Sequence, residues 1–331
     1  MRFIIRLVLS LLLLSVPVGC TTNKATGRSQ LIFMSVEEEI QLGSEAQPVF
    51  LKDNGGEIPS PQILAYVRDI GARLAASSER PDLPWEFHVL DSKQINAFAL
   101  PGGKVFFSRG LLERMSNEAQ VAAVMGHEVG HVTAMHIGER MSQAMLTQGL
   151  IAGLGVAGEV SDNAWLQVLG AGGQVGGSLY LLKFGRDQES ESDRLGMRYM
   201  VKNGYNPVGM MEVMQILKDA SGGGGSSGFE QMLSTHPDPA NRLKDAEKLI
   251  LKEYPDFQDT SKYTMGHQRF QQVVLANLKR LPPPRHQAMG PAMEKVSPAL
   301  AKAMERRHEM GQCACHGETQ PMLVLREAGA W

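Results

Sequence analysis

The sequence predicts an α+β domain that is mainly α-helical, with a small β-sheet beside its most apolar helix. Several segments repeat apolar residues at the period of a helix, and three short runs between residues 85 and 108 resemble strands. Hydrophobic residues make up 43% of the 331-residue chain and charged residues 21%, as in an ordinary globular protein. The formal net charge of −2, without a long basic block, gives the chain no electrostatic reason to bind nucleic acid.

The first twenty residues are typical of an export signal. Arg2 and Arg6 precede an apolar run over residues 7–18, which is too short to span a bilayer comfortably. A glycine then precedes Cys20, and a small residue before cysteine is what lipoprotein processing recognises. We therefore expect residues 1–20 to be a lipoprotein signal peptide and Cys20 to carry a lipid. The alternative is an ordinary secretory signal with a chance cysteine. Either way, we expect a periplasmic protein; lipidation would anchor it to a membrane, with the outer membrane favoured.

The predicted elements before the most apolar helix are two helices and three strands. Ser35 and Glu38 form a capping box that opens a helix to about residue 47, and an apolar stripe predicts a second helix over 61–77. Strands are predicted over 85–90, 95–100 and 104–108, the last two joined by a Pro-Gly-Gly turn.

After the strands, the sequence is predominantly helical. Asn117 caps an apolar helix that is predicted to run to about His136. Further helices are predicted in the apolar stretch 144–183, over 186–202 and over 241–253, with a flexible loop at 222–228. The stretch 144–183 is interrupted by acidic residues, which favours buried or cleft-covering helices over a membrane span.

The predicted domain organisation has three parts. Residues 1–20 are the signal peptide and residues 21–260 are the catalytic body. Residues 261–331 form a C-terminal extension, which we expect to be partly disordered from about residue 282, where the composition shifts after three prolines.

The motif that carries chemistry is His127-Glu128-Val-Gly-His131 on the apolar helix. Residues four apart lie about 40° apart around a helix, so both imidazoles face one point and can bind one metal ion. Glu128 lies beside that point, where its carboxylate can take a proton from bound water. Zinc lowers the pKa of such a water from 15.7 to about 7. The motif predicts one catalytic zinc ion per chain.

A third protein ligand has to come from elsewhere. The pattern of the metzincins is excluded because residues 134 and 137 are alanine and isoleucine. His136 is five residues beyond His131, about 140° around a continuous helix, and should therefore point away. The segment Glu189-Ser-Glu191-Ser-Asp193 offers carboxylates on a later helix, where Glu189 and Asp193 share a face and Glu191 points away. From spacing alone, a ligand role for Glu189 and a solvated acidic face both remain open.

Five segments resemble the metallopeptidase family that contains HtpX, the CAAX prenyl endopeptidase and the periplasmic protease BepA. They are HEVGH at 127–131, RDQESESDRLG at 186–196, STHPDPANR at 234–242, TGRSQL at 26–31 and NAFALPGG at 96–103. The resemblance covers about residues 24 to 250 and is greatest to the soluble lipoprotein members. Ser192 and Met135 stand where the family often has alanine and arginine, and neither difference removes a proposed ligand.

The resemblance implies a zincin-like metalloprotease domain of the gluzincin type. It implies His127, His131 and Glu189 as zinc ligands, with Asp193 orienting one of the histidines. It further implies that His236 and Arg242 approach the metal from the far side, where they would cap zinc or stabilise an oxyanion. From the residues alone, His236-Pro237 reads only as a turn after a helix.

The strand that contains Asn96, Ala97, Phe98 and Ala99 is a candidate substrate-binding edge. An extended peptide can add to an exposed edge strand through backbone hydrogen bonds, which accepts many sequences if the segment is unfolded. A purely structural strand is the alternative.

The leading functional hypothesis is a zinc-dependent endopeptidase that cleaves misfolded or unfolded cell-envelope polypeptides. The first alternative is an envelope chaperone or assembly factor in which His236 caps the zinc and proteolysis is rare. A structural zinc protein of an envelope assembly is the third hypothesis.

Overall fold

The structure, a computed structural model, describes residues 20–152, 183–222 and 229–286. The described residues leave out the hydrophobic part of the predicted signal peptide, most of the apolar stretch 144–183, residues 223–228 of the predicted loop and most of the tail. Among the described helices, none combines the length and the apolarity that crossing a bilayer requires.

A short hairpin and a capped helix begin the described chain. Strand β1 (Cys20–Thr22) pairs antiparallel with β2 (Ser29–Leu31). Helix α1 (Val36–Asp53) begins at the predicted capping box, in which Ser35 Oγ accepts from the Glu38 amide at 3.2 Å and Glu38 Oε2 accepts from the Ser35 amide at 2.7 Å. The helix runs beyond residue 47 to Asp53 and accommodates Pro48 in its interior.

The sheet is three-stranded, with its central strand last in the chain. Helix α2 (Pro61–Ala76) leads to β3 (Glu86–Leu90) and β4 (Ala97–Leu100), and the turn Pro101–Gly103 leads to β5 (Lys104–Ser108). Strand β5 pairs parallel with β3 and antiparallel with β4, so the order is β3-β5-β4. Strand β4 is therefore an edge strand among the described strands.

Helix α4 (Glu118–Thr133) is the centre of the domain, and every one of its residues is buried. It follows the short helix α3 (Arg109–Leu112) and starts at Asn117, whose Oδ1 accepts from the Gln120 amide at 2.9 Å. The large core forms around α4, because α2 and the sheet pack against it together with later helices. A helix that is apolar on all sides is stable only when it is enclosed in this way.

Helix α4 ends earlier than predicted. It stops at Thr133, and Met135 takes a left-handed conformation with φ 57° before helix α5 (His136–Ala152) begins. The prediction of one continuous helix to His136 was wrong, because no proline or glycine marks this turn. The direction that the sequence analysis assigned to the His136 side chain, which assumed that continuity, was wrong for the same reason.

Helix α6 (Arg186–Lys202) crosses α4 at very short range. A Cβ atom on Gly196 would lie 2.7 Å from both Gly126 C and His127 N, and one on Gly126 would lie 2.9 Å from Gly196 O. Only glycine allows backbones to approach so closely. We call this contact between Gly126 and Gly196 the glycine crossing.

The remaining helices complete the domain. They are α7 (Val208–Gly222), α8 (Glu230–Thr235), α9 (Pro239–Glu253), α10 (His267–Phe270) and α11 (Ala276–Leu278), with the π-helical turn Gln271–Leu275 joining the last two.

The packed body extends past the predicted boundary at residue 260. Phe270, Val274 and Leu278 belong to the large core, and the chain then docks against the end of the sheet. There Arg285 Nε lies 2.9 Å from Asp91 Oδ2, and the His286 amide donates to Asp91 O at 3.1 Å. The body therefore reaches at least residue 286, because these contacts hold the chain that the sequence analysis assigned to an extension.

The predicted fold class is confirmed. The domain is mainly helical, and a small sheet lies against its central helix. A second, smaller cluster covers the other face of the sheet, where Phe50, Phe98 and Phe106 stack with ring centroids 4.8–5.8 Å apart.

Because the two helices are so close at the glycine crossing, we expect a side chain there to destabilise the fold. Gly196→Ala should lower the free energy of unfolding by about 1–3 kcal/mol despite the better helix propensity of alanine, because the new methyl group overlaps the backbone of α4. Gly138→Ala in α5 is the control, since its Cβ would meet only Ile32 Cγ2 at an ordinary 3.5 Å. Urea unfolding checks both; equal stability of the two variants would contradict a tight crossing.

Candidate metal centre

Helix α4 presents His127 and His131 to one point. Their Nε2 atoms lie 3.0 Å apart, with the two rings almost perpendicular, at 85°. Both side chains are buried. The spacing of four residues therefore produces the convergence that the motif predicts, on a helix that is enclosed on all sides.

Glu189 reaches this point from the first turn of α6. Its Oε1 lies 3.3 Å from His131 Nε2, and its Oε2 lies 3.6 Å from His127 Nε2. The carboxylate is fully buried, which is not how a solvated acidic face behaves. The glycine crossing brings the start of α6 close enough to α4 for this contact.

His236 supplies a fourth donor atom. It follows α8, and its Nδ1 lies 3.2 Å from His127 Nε2 and 3.1 Å from Glu189 Oε1. Donor atoms of His127, His131, Glu189 and His236 all lie within 4.8 Å of one another. From the residues alone this histidine looked like part of a turn, and only the family resemblance could have found it.

These residues fit zinc. Imidazole nitrogens and a carboxylate oxygen are the ligands that zinc takes in catalytic sites, where three protein ligands leave one position open. His127, His131 and Glu189 would hold the ion, and His236 is placed at the position of a further ligand. Glu128 Oε1 is buried and has no hydrogen-bond partner among the described residues. It could therefore accept a hydrogen bond from a metal-bound water molecule.

Glu128 lies beside the cluster without joining it. Its Oε1 is 3.8 Å from His236 Nε2. Burial raises the pKa of its carboxyl group above the ordinary value, which favours a group that both accepts and releases a proton.

Asp193 and Arg242 surround the far side of the centre. His127 Nδ1 lies 2.8 Å from Asp193 Oδ1, so the imidazole can donate its other proton to this carboxylate. Arg242 donates to both Asp193 oxygens, from Nε at 2.7 Å and from Nη2 at 2.6 Å, and its Nη1 lies 2.6 Å from Glu189 Oε2. The structure thus places Arg242 against two carboxylates.

The buried charges shift one another's pKa values. Burial alone would raise the pKa of Glu189 and of Asp193, but the Arg242 guanidinium and the neighbouring histidines together outweigh it and hold both pKa values below their usual range. Burial likewise would lower the pKa of His236, but the Glu189 and Glu128 carboxylates raise it. Burial lowers the pKa of His131, which favours the neutral imidazole that binds metals.

His136 contacts the centre from behind, where the sequence analysis expected it to point away. The left-handed Met135 turns the chain so that His136 Nδ1 lies 2.8 Å from His131 Nδ1. Its Nε2 lies 3.0 Å from Glu191 Oε2, a carboxylate that was also expected to point away. The expected direction of His136 was wrong because it assumed one straight helix, whereas Glu191 does lie outside the cluster of proposed ligands and pairs with His136 there.

The predicted substrate strand is β4 together with Asn96. It lies against α4, and its Ala97 and Ala99 are opposite Phe107 and Val105 of β5. The Asn96 carbonyl accepts from the Ser108 amide at 2.9 Å, so the backbone groups of Ala97 and Ala99 face the opposite edge. No described strand pairs with that edge.

A narrow apolar cavity opens beside Glu128. The side chains that line it come from helices α4 and α7 and from α8. They are Ala123, Val124, Met210, Val213, Met214, Leu217 and Met232, with His127, Glu128, His236 and Arg242 at one end.

Together, the fold and the site define a domain of the metallopeptidase class. The chain belongs to peptidase family M48, whose family model matches residues 61–250. The resemblance inferred from the sequence is confirmed.

Several curated proteins are similar to most of this chain. The beta-barrel assembly-enhancing protease of Yersinia pestis is 27% identical over 92% of this chain and 63% of its own length. The protein of the same name from Escherichia coli strain K12 is 28% identical over 70% of this chain and 49% of its own length. The mitochondrial metalloendopeptidase OMA1 of Schizosaccharomyces pombe is 30% identical over 66% of this chain and 62% of its own length. The chain thus spans about half to two thirds of these relatives.

Because Arg242 pairs with Glu189 and Asp193, we expect that replacing it strongly lowers the stability of the fold. In the zinc-free protein, Arg242→Met should lower the free energy of unfolding by about 3–5 kcal/mol at pH 7, because two buried carboxylates lose their partner. Lys248→Met on the same helix should have little effect, since Lys248 and Asp245 are both well exposed.

The same variant should show a reversed pH dependence. In the wild type both carboxyl pKa values are low, so their stabilising contribution is present at neutral pH and is lost as the pH falls below about 4. Without Arg242, burial raises these pKa values, and acidification should then stabilise the variant. Urea unfolding between about pH 7 and pH 4 should show that the difference in the free energy of unfolding between wild type and variant becomes smaller as the pH falls. A constant difference would contradict the assigned pairing.

Proposed function

We propose that this protein is a zinc-dependent endopeptidase that cleaves misfolded or unfolded polypeptides of the bacterial cell envelope. The observation that carries the proposal is the buried Glu128 carboxylate beside four converging metal-ligand donors. Membership of peptidase family M48 and the names of the relatives, a beta-barrel assembly-enhancing protease and a metalloendopeptidase, support it.

In the proposed mechanism Glu128 is the general base and then the general acid. Zinc, when bound by His127, His131 and Glu189, would lower the pKa of water and polarise the substrate carbonyl. Glu128 takes the proton of the attacking water and delivers it to the leaving amide nitrogen. Burial raises its pKa above the ordinary value, which makes the protonated carboxyl group more available as a proton donor in the second transfer.

The surrounding residues would position the ligands and stabilise charge. Asp193 accepts from His127 and fixes the tautomer whose Nε2 faces the metal. Arg242 holds the Asp193 and Glu189 carboxylates in place. His236 would act after its contact with Glu189 breaks. Its Nε2–H, which already lies on the side of Glu128, would then donate a hydrogen bond to the oxyanion of the tetrahedral intermediate.

The substrate would bind as an added strand along β4. Backbone groups of Ala97 and Ala99 point away from β5, towards the side where no described strand pairs with β4, and pairing through the backbone requires an extended segment but little particular sequence. Folded proteins rarely expose such a segment, so this geometry supports a preference for unfolded chains.

We further propose that residues 1–20 carry a lipoprotein signal, whose processing leaves Cys20 lipidated at the start of the mature protein, directly before the body at residue 21. The body would face the periplasm, anchored by its lipid to the outer membrane. Cys20→Ser should then release the protein from membranes into the soluble periplasmic fraction, and unchanged membrane association would refute the anchor.

The position of His236 favours a second candidate function. Its Nδ1 lies 3.2 Å from His127 Nε2 and 3.1 Å from Glu189 Oε1, distances like those between the three proposed ligands. His236 could therefore occupy the open coordination position of the metal when no substrate is bound. A protein capped in this way would act chiefly as a chaperone or assembly factor and would cleave rarely.

Cleavage of an unfolded protein tests the endopeptidase. Wild-type protein with zinc should hydrolyse casein, and Glu128→Gln should lower kcat at least about 10²–10⁴-fold, because the amide cannot accept the proton. Both proteins should contain the same amount of zinc by atomic absorption. Equal cleavage by both would refute the mechanism.

A variant of His236 distinguishes the endopeptidase from the zinc-capped chaperone. If His236 stabilises the oxyanion, His236→Ala should lower kcat about 10²–10³-fold with little change in KM. If it caps the zinc, the same variant should cleave casein faster than the wild type. His267→Ala is the control, because His267 is an exposed residue of α10 that should have no effect on either constant.

A further inference from the structure

The face of His131 that points away from the metal centre contacts another histidine. His131 Nδ1 lies 2.8 Å from His136 Nδ1, and both rings are fully buried. Metal-binding histidines usually donate this second N–H to a carboxylate or a backbone carbonyl, whose acceptor character never changes. Imidazole is different, because each of its nitrogens either donates or accepts according to the tautomer.

The direction of this hydrogen bond follows from the metal site. If His131 binds the metal through Nε2, its proton is on Nδ1, so His136 has to accept through an unprotonated Nδ1. The proton of neutral His136 is then on Nε2, which lies 3.0 Å from Glu191 Oε2 and donates to it. Glu191 therefore selects the His136 tautomer that His131 needs.

Arg28 fixes Glu191 in turn. Arg28 Nε and Nη2 each lie 3.1 Å from a Glu191 oxygen, and Nη1 and Nη2 donate to Glu139 at 2.6 and 2.8 Å. One guanidinium thus joins α6, which carries Glu191, to α5, which begins at His136. Paired N–H contacts of this kind define the orientation of a carboxylate more tightly than a single contact does.

The segment that carries Arg28 also holds the end of the metal-binding helix. Asn23 Nδ2 donates to the Thr133 carbonyl at 3.1 Å, and Gln30 Nε2 donates to the Ala134 carbonyl at 2.8 Å. These are among the last carbonyl groups of α4, which have no partner within the helix. Residues 23–30, which we call the N-terminal arm, therefore contact both the end of α4 and the residues behind His131.

We propose that the N-terminal arm is part of the metal centre: through Arg28, Glu191 and His136 it positions His131 and fixes the tautomer with which His131 binds the metal. His136 is then a positioning residue and not a ligand. The inference rests on the proposed metal centre. It makes zinc affinity depend on a segment that begins three residues after Cys20.

A set of His136 variants tests this proposal in the full-length chain. His136→Leu keeps an apolar side chain but leaves His131 without an acceptor, and zinc affinity should fall about 10–100-fold. His136→Asn offers an amide oxygen near the position of Nδ1, and it should restore affinity to within a few-fold of the wild type. His88→Leu is the matched control, since His88 is another buried histidine that pairs with a glutamate, Glu57, at 2.7 Å.

Zinc affinity is measured by competition with a chelator, and the visible spectrum of the cobalt-substituted protein reports the ligand geometry. Urea unfolding of the zinc-free variants separates a loss of fold from a loss of positioning. The proposal expects His136→Leu to change affinity and the cobalt bands, His136→Asn to resemble the wild type, and His88→Leu to lower stability alone.

Arg28→Gln keeps the proposal testable if His136→Leu does not fold. It should weaken zinc binding by several-fold, whereas Arg68→Gln, which removes another half-exposed arginine paired with a glutamate, should not. Wild-type affinity and cobalt spectrum in both His136→Leu and Arg28→Gln would refute the arm's role and leave the metal centre intact. Failure of the wild type itself to bind zinc would refute both.

Discussion

The backbones of α4 and α6 touch where Gly126 meets Gly196, and the metal centre depends on this contact. His127 and His131 are set on α4 by a spacing of one turn, but their third partner is on a different helix some sixty residues later. A side chain at either glycine would push the helices apart and move Glu189 away from the two imidazoles. The geometry of the centre therefore depends on residues without side chains where the two helices cross.

Burying so many ionisable groups at one crossing is unfavourable unless each has a partner. Glu189 and Asp193 are matched by Arg242, and Asp193 also contacts His127. Glu128 is less well matched: its Oε1 has no hydrogen-bond partner among the described residues, its distance to His236 Nε2 is 3.8 Å, and burial raises its pKa. An unsatisfied buried acid next to metal-binding side chains is expected where function outweighs stability.

Much of this centre could be predicted from the sequence, because it depends on helical periodicity. The spacing of His127 and His131 and the shared face of Glu189 and Asp193 both follow from 3.6 residues per turn. What periodicity cannot supply is where a helix ends without a glycine or proline. Helix α4 ends at Thr133, three residues before the expected position, and the left-handed turn at Met135 brings His136 behind His131.

The parts that sequence reasoning missed are contacts between distant segments. Arg28 pairs with residues more than one hundred positions away, and Phe270 joins a core most of whose members lie far earlier in the chain. No local pattern encodes such partners, since an arginine in a polar stretch and a phenylalanine after the apparent end of the domain look unremarkable by themselves. The family resemblance drew attention to His236 and Arg242 but did not show that Arg242 holds two carboxylates.

In the proposed centre, Glu189 joins His127 and His131 around one zinc ion. The zinc content of the purified full-length protein and of Glu189→Ala, with folding checked by circular dichroism, tests this arrangement. We expect about one zinc ion per chain in the wild type and almost none in a folded Glu189→Ala variant after dialysis. A folded variant that keeps wild-type zinc would contradict it, because the third ligand would then lie elsewhere.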